Sequence, residues 1–484
     1  MPPIGRALGA PAAPRIIVGL PVDRLRMPPP LAVVILAAGQ GKRMHSTLPK
    51  VLHPLAGRPI VAHVLDAARS LAPGAICVVY GHGGERVRDA LAAPDLAFVL
   101  QDPPRGTGDA VRVALGALPP DGVTLVALAD VPLVPPAALA RLVGLAGDGR
   151  LALLTARVAD PSGLGRVVRD PYGHVRAIVE ERDASPEQRR IDEINTGVIA
   201  APTARLAKWV AALRDDNAQR EFYLTDAVAM AVADGVPVEA LLHDDEREVR
   251  GVNDRLQLAQ CERILQRKRA EALLRAGTWI ADPDRFDVRG TLTCGRDVRI
   301  DVGCVFEGEV TLGDGVVVGP HCVLSNVAIG AGTQVLPFSH LEDARTGERC
   351  RIGPFARFRP GTELADEVHI GNFVEVKASR LGHGAKANHL AYLGDAEVGA
   401  NVNYGAGSIT ANYDGAFKHR TVIGDDVHIG SNCVLVAPVT VGAGATVGAG
   451  TTLAQDAPPG GLTFARPPMV HKPHWKRPAK PKKE

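Results

Sequence analysis

The chain has 484 residues, 46% hydrophobic, 22% charged and only 4% aromatic, with 52 glycines and 38 prolines. That length exceeds a single core, and the apolar share excludes wholesale disorder. Lys and Arg number 55 against 53 Asp and Glu, a net charge of +2, so no bulk field gathers nucleic acid or an anionic membrane. No apolar run approaches the ~20 residues of a bilayer span. Seven cysteines fall singly, without a CxxC pair, which argues against a zinc cluster or disulfide framework and for a reducing cytosol.

Residues 1–30, rich in Pro, Ala and Arg, read as a disordered extension or a misassigned start, with Met27 as the alternative initiator. A targeting peptide is disfavoured, because no long apolar core or clear cleavage site follows. From Leu31 to Asn253 short apolar runs alternate with helical stretches. Ala32–Leu36 (AVVIL) is a continuous apolar run, as a parallel strand buried on both faces requires. Pro59 opens a helix that carries Ile60, Val61, Val64 and Leu65 on one face. Ala75–Tyr80, Leu96–Leu100, Val123–Leu128 and Leu151–Val158 are further strands. Interleaved strands and helices predict a Rossmann-like, doubly wound α/β sheet that gathers ligands at the carboxyl ends of its strands.

Residues 254–277 predict one charged helix, a spacer arm ended by Gly277. Residues 278–484 then change period. Ile300, Phe306, Leu312, Val318 and Leu324 fall six apart, and so do Ile423, Ile429, Leu435, Val441, Val447 and Leu453. One inward aliphatic per hexad predicts a parallel β-helix of three short sides per coil. Thr410–Arg420 breaks the period and is expected to be a loop thrown out of the coil. The end, Lys472–Glu484, carries six Lys and Arg against one Glu and reads as a solvated tail.

Two motifs in the first half carry chemistry. After the first strand comes LAAGQGKRM, residues 36–44, then Leu48-Pro49-Lys50. Its glycines let backbone N–H groups approach phosphate, while Arg43 and Lys50 supply cations. The run has neither the GxGxxG of a dinucleotide binder nor the GK[ST] of a P-loop. In the second motif, VALADVPL, Asp130 follows a strand at the binding edge, either as a Mg²⁺ ligand or as the cap of a loop.

Together these runs resemble the sugar-nucleotide pyrophosphorylases. With Gln101, Gly106-Thr107-Gly108, Gly163-Leu164-Gly165-Arg166, Ile178-Val179-Glu180, Glu193–Gly197 and Gly251-Val252-Asn253, the first half is similar to the uridylyltransferase half of one bifunctional family. That family comprises the N-acetylglucosamine-1-phosphate uridylyltransferase / glucosamine-1-phosphate N-acetyltransferases. The resemblance implies that Asp130 and Asn253 hold Mg²⁺, and that Leu36, Ala37, Ala38 and Gly39, with Gln101, Gly106 and Thr107, read uracil and phosphates. It further implies that Gly165, Glu180 and Asn195 hold the amino sugar, while Arg43 and Lys50 balance the triphosphate of UTP. Four positions depart from the family pattern: Ala129 for the usual Gly, Leu128 for a common Tyr and Lys42 for a small polar residue in this half, and Ala411 for a frequent Cys in the second. The Ala129 methyl is expected to shift the strand end slightly.

In the second half Arg357 and Arg359 flank Phe358, Lys377 ends GNFVEVK, and His389 and Tyr392 lie in NHLAYLGD. NVNYGAG follows over residues 401–407. Acetyl transfer to an amine needs a base, which a histidine of reference pKa ~6.5 suits, and N–H donors for the oxyanion, which a turned Gly-Ala-Gly backbone offers. A lone histidine at a coil corner is also an ordinary surface residue. These segments resemble the acetyltransferase half of the same family, whose β-helix is left-handed. By that resemblance His389 is the base, and Arg359, Lys377, Tyr392 and Asn403 bind glucosamine 1-phosphate. Ala406, Ser431, Ala449 and Arg466 then contact acetyl-coenzyme A, and Asn412 and Tyr413 reach in from the loop across a subunit boundary of a homotrimer.

The implied protein is a cytosolic two-step enzyme. It acetylates glucosamine 1-phosphate and couples the resulting N-acetylglucosamine 1-phosphate to UTP, giving a precursor of peptidoglycan and lipopolysaccharide without nucleic-acid or membrane partners. The alternatives are a single-function pyrophosphorylase whose β-helix regulates or oligomerises, and a non-catalytic hexapeptide scaffold.

Overall fold

The computed structural model describes residues 30–478, apart from Gln40, His82 and the side chain of Lys42. Residues 1–29, with Met27, and the last six residues of the basic tail lie outside the described residues. Among those described, no helix is long and apolar enough to cross a membrane.

Leu31–Leu36 is the central strand of the first half, and its alternate residues serve two cores. Val33 and Ile35 face one apolar layer and Ala32 and Val34 the other, all nearly inaccessible to solvent. Helices cover both faces, as a strand without polar alternation demands. The sheet runs Val238–His243, Leu151–Arg157, Glu193–Pro202, Val123–Leu128, Leu31–Leu36, Ala75–Gly81, Leu96–Gln101, with Arg166–Arg169 and Val175–Val179 attached at one side. All strands on this main path are parallel to their neighbours except Glu193–Pro202, which runs antiparallel between Leu151–Arg157 and Val123–Leu128. The sheet is therefore mixed, one antiparallel strand lying inside an otherwise parallel path, within the doubly wound α/β class expected from the sequence. That strand was hidden because Asn195, Thr196 and Gly197 interrupt its apolar pattern and its register shifts there. Pro59 caps a helix over Ile60–Arg69 that buries Ile60, Val61, Val64 and Leu65, as read from the sequence.

The charged helix spans Arg255–Arg275, and the Asp254 carboxylate caps it by accepting from the Gln257 N–H. It is more than a spacer. Leu258, Cys261, Ile264 and Leu265 pack with Leu55, Ile60, Leu133 and Val252 of the first half, whereas Ala270 and Leu273 join the core of the second. Gln266 between them is wholly buried. Its amide nitrogen donates to Val288 O at 2.9 Å and its amide oxygen accepts from Val288 N at 2.8 Å. Arg269 donates to the same carbonyl. The side chains of this helix thus pair backbone groups of Phe286–Cys294, an end strand of the solenoid.

From Trp279 onward the chain winds through an eleven-stranded and a fifteen-stranded parallel sheet. Four long strands, Phe286–Cys294, Cys304–Leu312, Val323–Ile329 and His340–Thr346, bend across two sides of the early coils. Later the two sides separate. The hexad aliphatics point inward: Ile300, Phe306, Leu312, Val318 and Leu324 are at most 1% exposed, and the later set at most 5%. Equivalent positions advance by 17 or 18 residues per coil, as in Arg299, Val317, Gln334, Arg351, His369, Lys386 and Asn403, then by 25 from Asn403 to His428. That longer step holds the loop. Thr410 was expected in it, but belongs to the strand Ile409–Ala411 and is buried, so the excursion starts at Asn412.

One corner of the coil repeats a left-handed residue. His321, Phe338, Phe355 and Phe373 have φ of 58°, 59°, 55° and 56°, and their rings stack at 5.3, 5.1 and 5.2 Å. Leu390 continues the ladder with φ 49° and is 63% exposed; the three Phe rings are 45–54% exposed.

Candidate functional sites

In the first half a cavity of about 440 Å³ opens at the carboxyl ends of the central strands. Leu36, Arg43, Thr107, Leu128, Asp130, Gly165, Glu180, Asn195 and Asn253, all named from the sequence, line it. Arg250, Thr225 and Gln257 line it too and were missed; Arg250 directly precedes the Gly251-Val252-Asn253 motif, which was the available signal.

Lys50 is the centre of the polar end. Its ammonium donates to Asp130 Oδ2 and, at 3.1 Å, to Asn253 Oδ1, with side chains only 10% and 19% exposed for Lys50 and Asp130. Gly41 lies against it: at φ 59° a Cβ there would stand 2.6 Å from Lys50 Cβ, so the glycine loop seats the lysine.

Gln101, buried, donates to Gly106 O at 3.0 Å and Asp109 Oδ2 at 2.9 Å, which braces the turn before the helix Thr107–Leu115. Gly106 has φ 106°, and a Cβ on it would meet Phe222 O at 2.7 Å. Ala37 and Ala129 extend the sheet through N–H bonds to Val79 O at 2.8 Å and Leu36 O at 3.0 Å. The Ala129 methyl is wholly buried in the core and the sheet bond is kept, so it offers a ligand main chain alone. Ala38 is half-buried and Gly39 exposed beyond them. Leu128 packs on Gly197, where a Cβ would come within 2.4 Å of it.

At the opposite end Glu180 accepts from Thr225 Oγ1 at 3.1 Å, and burial pushes its carboxyl above the usual carboxylate range. A Cβ on Gly165 would stand 3.3 Å from Glu180 Oε1. Asn195 N donates to Gly165 O at 2.9 Å, and its Oδ1 accepts from Gly197 N at 3.2 Å. The neighbouring loop is pinned by buried Arg166, which donates to Leu164 O and to Glu181 Oε2 at 2.5 Å.

In the second half one corner lines up the acetyl-transfer candidates. Gly407 N donates to His389 O at 3.3 Å, Asn432 N to Ala406 O at 2.8 Å, and Gly450 N to Ser431 O at 2.8 Å. Arg466 Nε donates to Ala449 O at 3.0 Å. His389, Ala406, Ser431 and Ala449 therefore form a column of one residue per coil, with Arg466 beside its far end. The Ala406 N–H donates to no described protein group. The His389 ring is exposed in the single chain, and its Nδ1 lies 3.0 Å from Asn372 Oδ1, its partner in the strand register. An amide oxygen only accepts, so Nδ1 donates and Nε2 keeps a lone pair.

On the adjoining face Arg359 pairs with Glu375 at 3.0 Å and Lys377 with Asp395 at 3.5 Å. The Asn412 amide, at the start of the loop two residues past the buried Thr410, bonds Asp395 and, at 3.4 Å, Tyr392 Oη. Lys418, which the sequence reading passed over, meets Lys377 there, and the neighbouring ammonium lowers its pKa. Only folding of the loop, held by a Tyr413–Lys418 bridge, brings it back. Asp414 organises that loop by accepting from Ala416 N, Phe417 N and His419 Nε2, bonds that hold its carboxyl far below the usual range. Tyr413 is 61% exposed, with its hydroxyl on Gly415 O. Asn403 stands on the eleven-stranded sheet, round the corner from Tyr392.

Residues 33–223 match the family model of the MobA-like NTP transferase domain, and residues 420–455 that of the bacterial transferase hexapeptide (six repeats). The chain is 58% identical over 450 residues to the bifunctional protein GlmU of Azoarcus sp. (strain BH72), covering 93% of this chain and 100% of that protein. Its identity to the bifunctional protein GlmU of Ralstonia nicotianae is 56% over 452 residues, covering 93% and 99%. The protein of that name from Paraburkholderia xenovorans is 58% identical over 450 residues, with the same coverage of 93% and 99%. A solved UDP-glucose pyrophosphorylase complexed with UDP-glucose aligns with 49% of this chain and 99% of its own at 16% identity and a TM-score of 0.42.

Proposed function

The chain belongs to the GlmU family of bifunctional proteins, the uridylyltransferase/acetyltransferases of UDP-N-acetylglucosamine synthesis, and from that membership we propose which residues carry each step. Residues 31–253 form the uridylyltransferase, 254–277 the connecting helix and 278–484 the acetyltransferase. The observation that carries the reading is the presence in one chain of both an oxygen pair converging on a cation and a histidine heading a cofactor-length column.

In the first half N-acetylglucosamine 1-phosphate attacks the α-phosphorus of UTP in line and pyrophosphate leaves, so no protein nucleophile is needed. Asp130 and Asn253 suit Mg²⁺: one carboxylate and one amide oxygen already share a cation, the Lys50 ammonium, and magnesium commonly takes few protein oxygens beside phosphates and waters. When bound, the metal offsets charge on the reacting phosphates. The main chain of Leu36–Gly39, with Gly106 and Thr107, holds uracil and phosphates, while Gln101 keeps that turn in place. Arg43, Lys50 and Arg250 balance the triphosphate. Gly165 leaves room for the sugar against Glu180 and Asn195.

In the second half His389 Nε2 takes a proton from the ammonium of glucosamine 1-phosphate. The freed amine attacks the thioester carbonyl of acetyl-coenzyme A, whose oxyanion the Ala406 N–H receives. The C–S bond then breaks, the nitrogen gives up its second proton to solvent as the amide forms, and the imidazolium returns the first to the departing thiolate. Lys377, Lys418 and Arg359 grip the phosphate, with Tyr392 and Asn412 beside them, and Asn403 supplied from the neighbouring face. Ala406, Ser431, Ala449 and Arg466 track the coenzyme. An exposed apolar ladder next to a solvent-facing base supports a homotrimer that packs the Phe338–Leu390 corner against neighbours and encloses His389. Seven unpaired cysteines, six of them buried, support a cytosolic setting.

One incubation with glucosamine 1-phosphate, acetyl-coenzyme A, UTP and Mg²⁺, followed by mass analysis, tests both halves. His389→Ala should abolish thiol release and spare pyrophosphate production, and Asp130→Ala should do the reverse. Persistent acetylation in the first, or unchanged uridylylation in the second, defeats the corresponding assignment.

A further inference from the structure

We infer that the Lys50 ammonium is a built-in stand-in for the divalent cation: it occupies the Asp130–Asn253 oxygen pair until the triphosphate draws it away, so that metal and nucleotide enter together and bare metal is turned away. The inference rests on the metal reading of Asp130 and Asn253 above.

Three observations carry it. The Asp130 carboxylate is four-fifths buried and needs a counter-charge, since an unpaired buried carboxylate is costly. Lys50 supplies that charge through the very atoms proposed as metal ligands, Asp130 Oδ2 and Asn253 Oδ1. A metal binding those oxygens at the ~2.1 Å typical of Mg²⁺ cannot share them with an ammonium, because the two cations would be in contact. Finally, Lys50 is delivered from a short helical turn, Lys50–Leu52, whose first residue Gly41 seats from the glycine loop. A triphosphate on that loop offers the ammonium new oxygens close by. Moving to them, Lys50 vacates the carboxylate and neutralises phosphate charge at the same time. The coupling is reciprocal: whatever factor UTP adds to metal affinity, the metal adds to UTP affinity.

The test is Mn²⁺ binding to the full-length chain without nucleotide, followed by electron paramagnetic resonance of the free ion. Lys50→Met should bind Mn²⁺ at least about tenfold more tightly than wild type, a shift of about 1.4 kcal/mol. Lys50→Arg, which keeps a cation there, should stay near wild type, and adding Asp130→Asn to Lys50→Met should erase the gain. Thermal melting guards against a misfolded variant. Lys50→Met leaves Asp130 without its partner, so its transition should fall and be restored by Mn²⁺, whereas wild type should not respond to Mn²⁺ alone. A Lys50→Met chain that binds Mn²⁺ no more tightly than wild type overturns the inference. If UTP-dependent Mn²⁺ binding is nevertheless lost in Asp130→Asn, the metal reading survives that failure. If Asp130→Asn leaves it unchanged, both fall.

Discussion

Replacing Gln266 with leucine keeps the volume of a wholly buried side chain and removes its hydrogen bonds. Arg269 still serves Val288 O, so that carbonyl stays paired. Val288 N–H, in a residue 3% exposed, loses the Gln266 acceptor that it held at 2.8 Å. An orphaned buried donor costs about 1–3 kcal/mol. The 2.8 Å bond to Glu262 also goes, which adds about 1 kcal/mol; Glu262 retains Ala56 N. The sum, about 2–4 kcal/mol, should lower the melting of the β-helix by about 5–15 °C for a unit of this size. Scanning calorimetry reads the shift, and hydrogen exchange at Val288 should quicken with it. A Gln266→Leu chain that melts within about 1 °C of wild type, with Val288 still protected, would refute the claim that this amide caps the end strand.

Three further outcomes follow from the geometry. Asn372→Ala removes the acceptor that orients His389, so acetyl transfer should lose about tenfold in kcat at little change in KM. Asn372→Asp should restore activity and move the acid limb of the pH profile upward, because a carboxylate favours the imidazolium; an Asn372→Ala rate within twofold of wild type sinks this. Glu180 has its pKa raised by burial, so the folded chain holds this proton more tightly than the unfolded chain and loses stability as pH rises from the ordinary carboxyl range through the folded value. Glu180→Gln should therefore melt higher than wild type at neutral pH and equal to it in acid, and a gain that persists unchanged at low pH contradicts the sign. Phe355→Ser breaks the ladder between Phe338 and Phe373 and should populate monomer at micromolar concentration in sedimentation, where an undisturbed trimer argues against the proposed seam.

Much of this was legible in the residues. A six-residue spacing survives any change on the outward positions, so Ile300 to Leu324 and Ile423 to Leu453 announced the coil and its core correctly. The AVVIL run did the same for the central strand. What stayed hidden were pairings made at long range. Lys50 meets Asp130 and Asn253 across 80 and 203 positions, and no local pattern places an ammonium on those oxygens rather than on phosphate. Gln266 has Glu262, Arg263, Arg267 and Arg269 around it on the helix, so its burial follows from docking and not from periodicity. Glu193–Pro202 carries the cavity-lining Asn195, Thr196 and Gly197 inside a strand, and they break the alternation that would have revealed it. Lys418 comes back to Lys377 only because Asp414 and the Tyr413–Lys418 bridge fold the loop between them.

On the proposed placing of the coenzyme along it, the His389–Ala449 corner is also a measuring rod. Its marks are set one strand spacing apart, about 4.8 Å, so three intervals put Ala449 about 14 Å below the imidazole. A thioester on a truncated arm would reach the first mark and leave the lower ones unread, slowing capture more than turnover. On that proposal, acyl size would be judged at the top of the column and carrier length at the bottom.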